Sequence, residues 1–276
     1  MNHIKLLVLI INTLFLQSIK ALMLCKLPSS SFSYYGSLIY SDDSMIVYNK
    51  AANVLSVPGL YGKNNLATEV ARLYNIDRVD QMIVHRLDYA TSGLIVFARN
   101  YDSLKYLHEQ FRKKKVKKIY SSIVAVNGKE KAIKLEKDDD DEYMRNKNLP
   151  RLSALEGEIK LPIVRDKKRG APYHCAIDET GKAKLAHTEW KVKQISSHSG
   201  HTLAQLDMEP RTGRTHQLRI HAAATNMPIL GDNFYAPSHI QELAPRLLLH
   251  ARDLKLLSPI TGKPMQFHAE VPFKLI

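Results

Sequence analysis

An α/β domain built around a central sheet is the fold class that this sequence predicts, and three observations carry the prediction. Short apolar runs, such as Leu94, Ile95, Val96, Phe97 and Ala98, have the length of buried strands and are bounded by turn residues. Leu104, Leu107, His108 and Phe111 recur at the spacing of one helix face. Strand runs and a few such helices are mixed along the chain. At 276 residues, the chain is long enough for one large domain, or two modest ones, with a well-buried core.

The first 25 residues differ from the rest. Residues 6–16 are apolar apart from Asn12 and Thr13, with His3 and Lys5 before them and Lys20 after. That run falls short of the roughly 20 residues of a membrane span. It reads as a targeting segment over 1–25, so the mature protein is expected to have no membrane span. An organelle, plastid or mitochondrion, is then the expected compartment; without targeting it is the cytoplasm. Residues 26–43, rich in Ser and Tyr, read as a linker to a domain spanning 44–276. Residues 45–48 read as a strand, and 66–74 as a helix with Val70, Leu73 and Tyr74 on one face. Met82, Ile83 and Val84, then 94–98, read as buried strands joined across a Thr91-Ser92-Gly93 turn. Asp88, beside His85 and Arg86, then falls where a strand end meets a loop.

Asn100 or Asp102 caps the next helix, which ends at Arg112, Lys113, Lys114, Lys115, Lys117 and Lys118. Cations there suit the helix dipole, which accounts for about half of the cluster. The remainder forms a basic rim leading to Tyr120, with the lysines interchangeable as contacts to a phosphate backbone. Residues 129–155 read as an insertion, solvated and disordered around Asp138, Asp139, Asp140, Asp141 and Glu142. Residues 184–192, with Trp190, and 203–208 read as paired strands. Residues 215–225 read as a helix placing Leu218, Ala222 and Thr225 on one face, with Arg214 at its entry.

The net charge of +13 and pI near 9.6 favour a polyanionic partner, because cations that neutralise phosphates release counterions. Two cysteines, Cys25 and Cys175, make neither a disulfide framework nor a metal cluster. The twelve histidines lack zinc-ligand spacing, so no metal is expected. No glycine loop cradles a nucleotide cofactor.

His85, Arg86, Leu87 and Asp88, followed by Thr91, Ser92 and Gly93, resemble the signature of the RluA family of pseudouridine synthases. Five further blocks match in order: Lys50 with 55–59, Lys117 to Tyr120, Arg211 to His221, Pro228 to Asp232, and Leu247 to Ala251. The resemblance runs from about Ser44 to Phe267. One departure stands out. The family's Lys-Pro-x-Gly is here Lys50, Ala51, Ala52, Asn53, without the residues that preset that turn.

The resemblance implies a mixed, largely antiparallel central sheet with flanking helices and a cleft across its middle. It also implies isomerisation of uridine to its C-glycoside in structured RNA. That reaction adds no group and changes no oxidation state, so no cofactor is needed. Asp88 becomes the catalytic carboxylate, as nucleophile or as base. A carboxylate working in a closed cleft must stay ionised against desolvation, and the family pattern offers Arg214 as its ion pair. Arg86 enters the RNA stack where the target base has left, a task suited to a guanidinium plane. Tyr120 stacks on the uracil and Leu249 walls its pocket. His85, Arg211, His216 and Arg219 are assigned to RNA contacts, with structural or helix-surface roles as the alternative.

The pattern, including Ala244 to His250, looks most like the dual-specificity subgroup acting on a tRNA anticodon stem-loop and large-subunit rRNA. Too few residues precede residue 44 for the S4 module of many relatives, and a monomer is expected. Two other readings compete. A catalytically silent RNA binder would retain the charge but has no need of Asp88, Tyr120 and Arg214 together. A kinase catalytic loop fails on context, lacking a direct His-Arg-Asp and an Asp-Phe-Gly in order.

Overall fold

Nine strands of this chain pair into one mixed sheet. The structure is a computed structural model and describes residues 34–59, 64–126, 155–166, 174–177, 184–198 and 200–275. The expected targeting segment, residues 26–33 of the expected linker and nearly all of the expected insertion lie outside them; the rest of that linker does not run free, because residues 36–41 pair as an edge strand of the sheet. In chain order the strands are β1 (Gly36–Ser41), β2 (Met45–Lys50), β3 (Ser92–Ala98), β4 (Lys117–Val126), β5 (Glu156–Ile159), β6 (Ile163–Asp166), β7 (His174–Ile177), β8 (Thr188–His198), β9 (His201–Pro210), β10 (Leu249–Leu257) and β11 (Pro264–His268). The helices are α1 (Leu66–Leu73), α2 (Tyr101–Arg112), α3 (Gln217–Ala224) and the short α4 (Ser238–Gln241).

The sheet runs β1-β2-β3-β10-β4-β9-β8-β5, with β6 and β7 a separate hairpin. β10 is the hub. One edge pairs antiparallel with β4, while the other pairs first with β3 and then with β11. The β3–β10 pair is parallel and all the others are antiparallel, so the expected mixed, largely antiparallel sheet forms.

The apolar runs follow from burial on both faces. Met45, Val47, Leu94 and Val96 pack towards Leu104 and Leu107 of α2. Their alternates Ile46, Tyr48, Ile95 and Phe97 pack towards Leu66 and Val70 of α1. Asn65 caps α1 by accepting from Thr68 N, and Asn100 caps α2 by accepting from Ser103 N, each at 2.9 Å. Gln110 fixes α2 to the sheet, donating to Leu257 O at 2.9 Å and accepting from Leu257 N at 2.7 Å.

Four local expectations change. Met82, Ile83 and Val84 form no strand; only Ile83 bridges to Phe97, although Met82 and Val84 are buried. The turn falls on Tyr89 and Ala90, and Ser92 and Gly93 already belong to β3. Gly93 is required there: at φ +114°, its Cβ would stand 2.3 Å from Ala251 O of β10. Leu73 is half exposed, so Leu66, Ala67, Val70 and Ala71 make the buried face of α1. Finally, α3 is buried on all sides from Gln217 to Ala223, not along one stripe.

Candidate active site

Residues 85–88 run irregularly from the core to the start of β3, and their backbone is clamped on both sides of Asp88. Ser56 Oγ donates to Leu87 O at 2.7 Å and accepts from Leu87 N at 3.1 Å. Lys50 Nζ donates to Ala51 O and Val54 O at 2.8 Å and to Tyr89 O at 3.2 Å. Tyr89 O also accepts from Val54 N. Thr91 N closes the turn onto Asp88 O at 3.1 Å. Lys50 is fully buried, which lowers its pKa to about 7; the nearby Asp88 charge opposes that fall and Arg246 adds to it. Its signal was a lysine ending an otherwise apolar strand, since a buried ammonium must find acceptors. In the loop after Lys50, where the family's turn residues are absent, Asn53 takes φ +59°, a left-handed conformation that asparagine tolerates.

Asp88 lies between two hollows. A cavity of about 320 Å³ has Tyr120, Leu249, Arg86, Arg214 and Lys118 in its wall, and Asp88 is its one carboxylate among the described residues. A groove of about 1020 Å³ opens on the other side, past Tyr89, the 53–59 loop and Arg246. Tyr120 is placed by pairing with Ala251 and Met208 in mid-sheet. Burial, and then the Asp88 charge, push its phenol well above the usual range, so the hydroxyl keeps its proton. Leu249, at the start of β10, is buried against this wall.

The cations are distributed differently from the sequence expectation. Arg214 lines the cavity but is exposed, its Nε donating to Leu185 O at 3.4 Å, and it makes no ion pair with Asp88 in this conformation. The guanidinium whose charge bears on Asp88 from within is Arg219. Arg219 is buried in a two-pronged pair with Asp232, whose Oδ1 also accepts from Phe234 N and Tyr235 N. It is therefore neither a surface charge nor free for RNA. His216 stands at φ +54°, its Nε2 3.9 Å from Asp88 Oδ1 and its Nδ1 2.9 Å from Tyr235 Oη.

Two expected RNA contacts are otherwise engaged. His85 Nε2 accepts from Val96 N at 3.1 Å and its ring stacks on Phe111, which makes it an anchor of the 85–88 segment. Burial, helped by Lys118, pushes its pKa down to about 3, so it is neutral. Arg211 lines neither hollow and spans Glu189 and Glu209. Arg86 is exposed, lines both hollows and has no polar partner among the described residues.

Gln217 was missed altogether. Its Oε1 accepts from Thr212 Oγ1 and Arg214 N, while its Nε2 donates to His187 O and Thr188 Oγ1. The amide thereby shapes the 212–216 turn that carries Arg214. His221 extends this network, accepting from Thr188 Oγ1 and donating Nε2–H to Leu161 O.

Comparisons with known proteins agree with this architecture. A family described as RNA pseudouridylate synthase matches residues 44–224. The chain is 36% identical over 238 residues to a protein of Escherichia coli named dual-specificity RNA pseudouridine synthase RluA, covering 86% of this chain and 93% of that one. It is likewise 36% identical to the protein of that name from Yersinia pestis, covering 86% and 99%. The solved structure of human RNA pseudouridylate synthase domain containing 1 shares the fold with a TM-score of 0.67 at 22% identity, covering 90% of this chain and 87% of that one. The chain belongs to the RNA pseudouridylate synthase family.

Proposed function

We propose that this chain isomerises uridine to pseudouridine in a structured RNA, with Asp88 as the central carboxylate. The observation that carries the reading is a cavity of about 320 Å³ with a single carboxylate, faced by a tyrosine and a leucine and rimmed by cations. The target uridine leaves its stack and enters that cavity, at a cost of a few kcal/mol that loops and bulges reduce. Asp88 acts at the sugar as the N1–C1′ bond breaks; the base turns, C5 bonds to C1′, and the C5 proton is lost.

Tyr120 offers its ring to the uracil, and Leu249, diagonal to it on the neighbouring strand, extends the same wall. Because the Tyr120 phenol holds its proton, it donates a hydrogen bond; taking the C5 proton requires handing its own to a neighbour such as Asp88. Arg214 swings from Leu185 O to pair with Asp88 as RNA closes the mouth. Arg86, exposed and unpaired, fills the gap left in the stack. The substrates are a tRNA anticodon stem-loop, large-subunit rRNA or both, in keeping with the dual-specificity names of the relatives.

Tritium release from uridine labelled at C5 tests this directly, because forming the C5–C1′ bond expels that hydrogen. Wild-type protein should release tritium from total tRNA or large-subunit rRNA, and Asp88→Asn should not. Release by the Asn variant would remove Asp88 from the chemistry.

A further inference from the structure

We propose that Lys118 receives a phosphate of the target nucleotide when the uridine enters the cavity, so the lysines of this basic segment are not interchangeable. The proposal rests on the isomerase reading above.

Six cations lie between residues 112 and 118. Arg112 and Lys113 both pair with Glu109, and Lys117 pairs with Glu209 at 3.0 Å. Lys114 and Lys115 are exposed and line no part of the catalytic cavity. Lys118 alone of the six lines it. Strand geometry explains the selection: residues two apart in a strand share a face, so Lys118 points where Tyr120 points, and Lys117 points away.

Its ammonium lies beside an aromatic pair. Nζ sits 5.7 Å from the centroid of the Phe111 ring, which itself stacks on the neutral His85 at 4.8 Å. Among the described residues no carboxylate lies within 4.0 Å of it and no acceptor is bonded to it. Glu209 exerts the attraction that Lys118 does feel, but that carboxylate already serves Lys117 and Arg211. A partly desolvated cation without an anion in contact is unfavourable, and burial accordingly lowers its pKa. An anion entering the cavity would reverse that penalty. A flipped nucleotide supplies one, since it carries a phosphodiester on each side of its sugar.

The test uses Lys118→Met and Lys118→Arg, with tritium release and RNA binding measured across a range of salt. For Lys118→Met, KM should rise about tenfold, the equivalent of one lost charge-assisted hydrogen bond, with kcat changed by less than about twofold. The slope of log affinity against log salt should become shallower by about one ion. Lys118→Arg should restore both. The melting temperature of Lys118→Met should match or exceed wild type, because an unpaired, partly buried charge has gone. An unchanged KM and salt slope would overturn the proposal, as would a fall in melting temperature with loss of binding that arginine does not restore. Should wild-type protein bind RNA yet release no tritium, the isomerase reading fails, and the salt slope on the same RNA still decides whether Lys118 meets a phosphate.

Discussion

The floor and the rim of the catalytic cavity are built on opposite plans. On the floor, both backbone neighbours of Asp88 are pinned, by Ser56 and by Lys50, and the buried charges nearby have committed partners. At the rim, Arg86 and Lys118 have no polar partner among the described residues, and Arg214 holds a single backbone carbonyl there. The difference teaches where folding energy and binding energy are placed. Floor cations hold the carboxylate in position before RNA arrives; rim cations stay uncommitted until an anion reaches them.

Breaking the floor at its centre should have the largest effect. Asp88→Asn is expected to reduce turnover by at least about a thousandfold with RNA affinity retained, checked by single-turnover tritium release alongside filter binding. Arg219→Met leaves Asp232 buried without its partner and should cost about 3–5 kcal/mol of stability in urea unfolding. A rim change should do the reverse. Arg214→Met should leave stability within about 0.5 kcal/mol while lowering kcat by about a hundredfold, because its contribution is made only once the site closes.

The smallest effect is graded with pH. Burial holds His221 near pKa 4 and His250 near 3, and both are fully buried. Their folded values lie below the unfolded value of about 6.5, so the unfolded chain binds more protons as pH falls from there towards 4. Stability from the neutral imidazoles is complete above about pH 6.5 and is lost on acidification, by about 1.4 kcal/mol per pH unit for each histidine. His221→Gln should remove one histidine's share of that slope in unfolding measured between pH 6.5 and 4.

Most of the scaffold and much of the floor were legible in the sequence. Apolar runs marked β2 and β3, Asn100 was one of the two caps offered for α2, and the signature residues led to Asp88. The rest was hidden for identifiable reasons. Arg219 and Asp232 are 13 residues apart, and no local pattern announces that one helix is enclosed on every side. The division of labour between Arg214 and Arg219 follows from that enclosure. The basic run at 112–118 read as uniform because a list of residues does not say which faces of β4 meet which neighbours. Arg211 and His85 fit an RNA-contacting pattern until their carboxylate and backbone partners appear.

The parallel pairing of β3 with β10 has a bearing on when the cavity can exist at all. Ser92 meets His250 across 158 residues of chain; Asp88 sits just ahead of β3 and Leu249 is the first residue of β10. Contacts this distant carry a large loop-closure entropy and form late. During synthesis, the segment bearing Asp88 leaves the ribosome long before the strand that completes its pocket. The nascent chain thus exposes the basic run at 112–118 before the cavity around Asp88 has its β10 wall, and that cavity waits on β10.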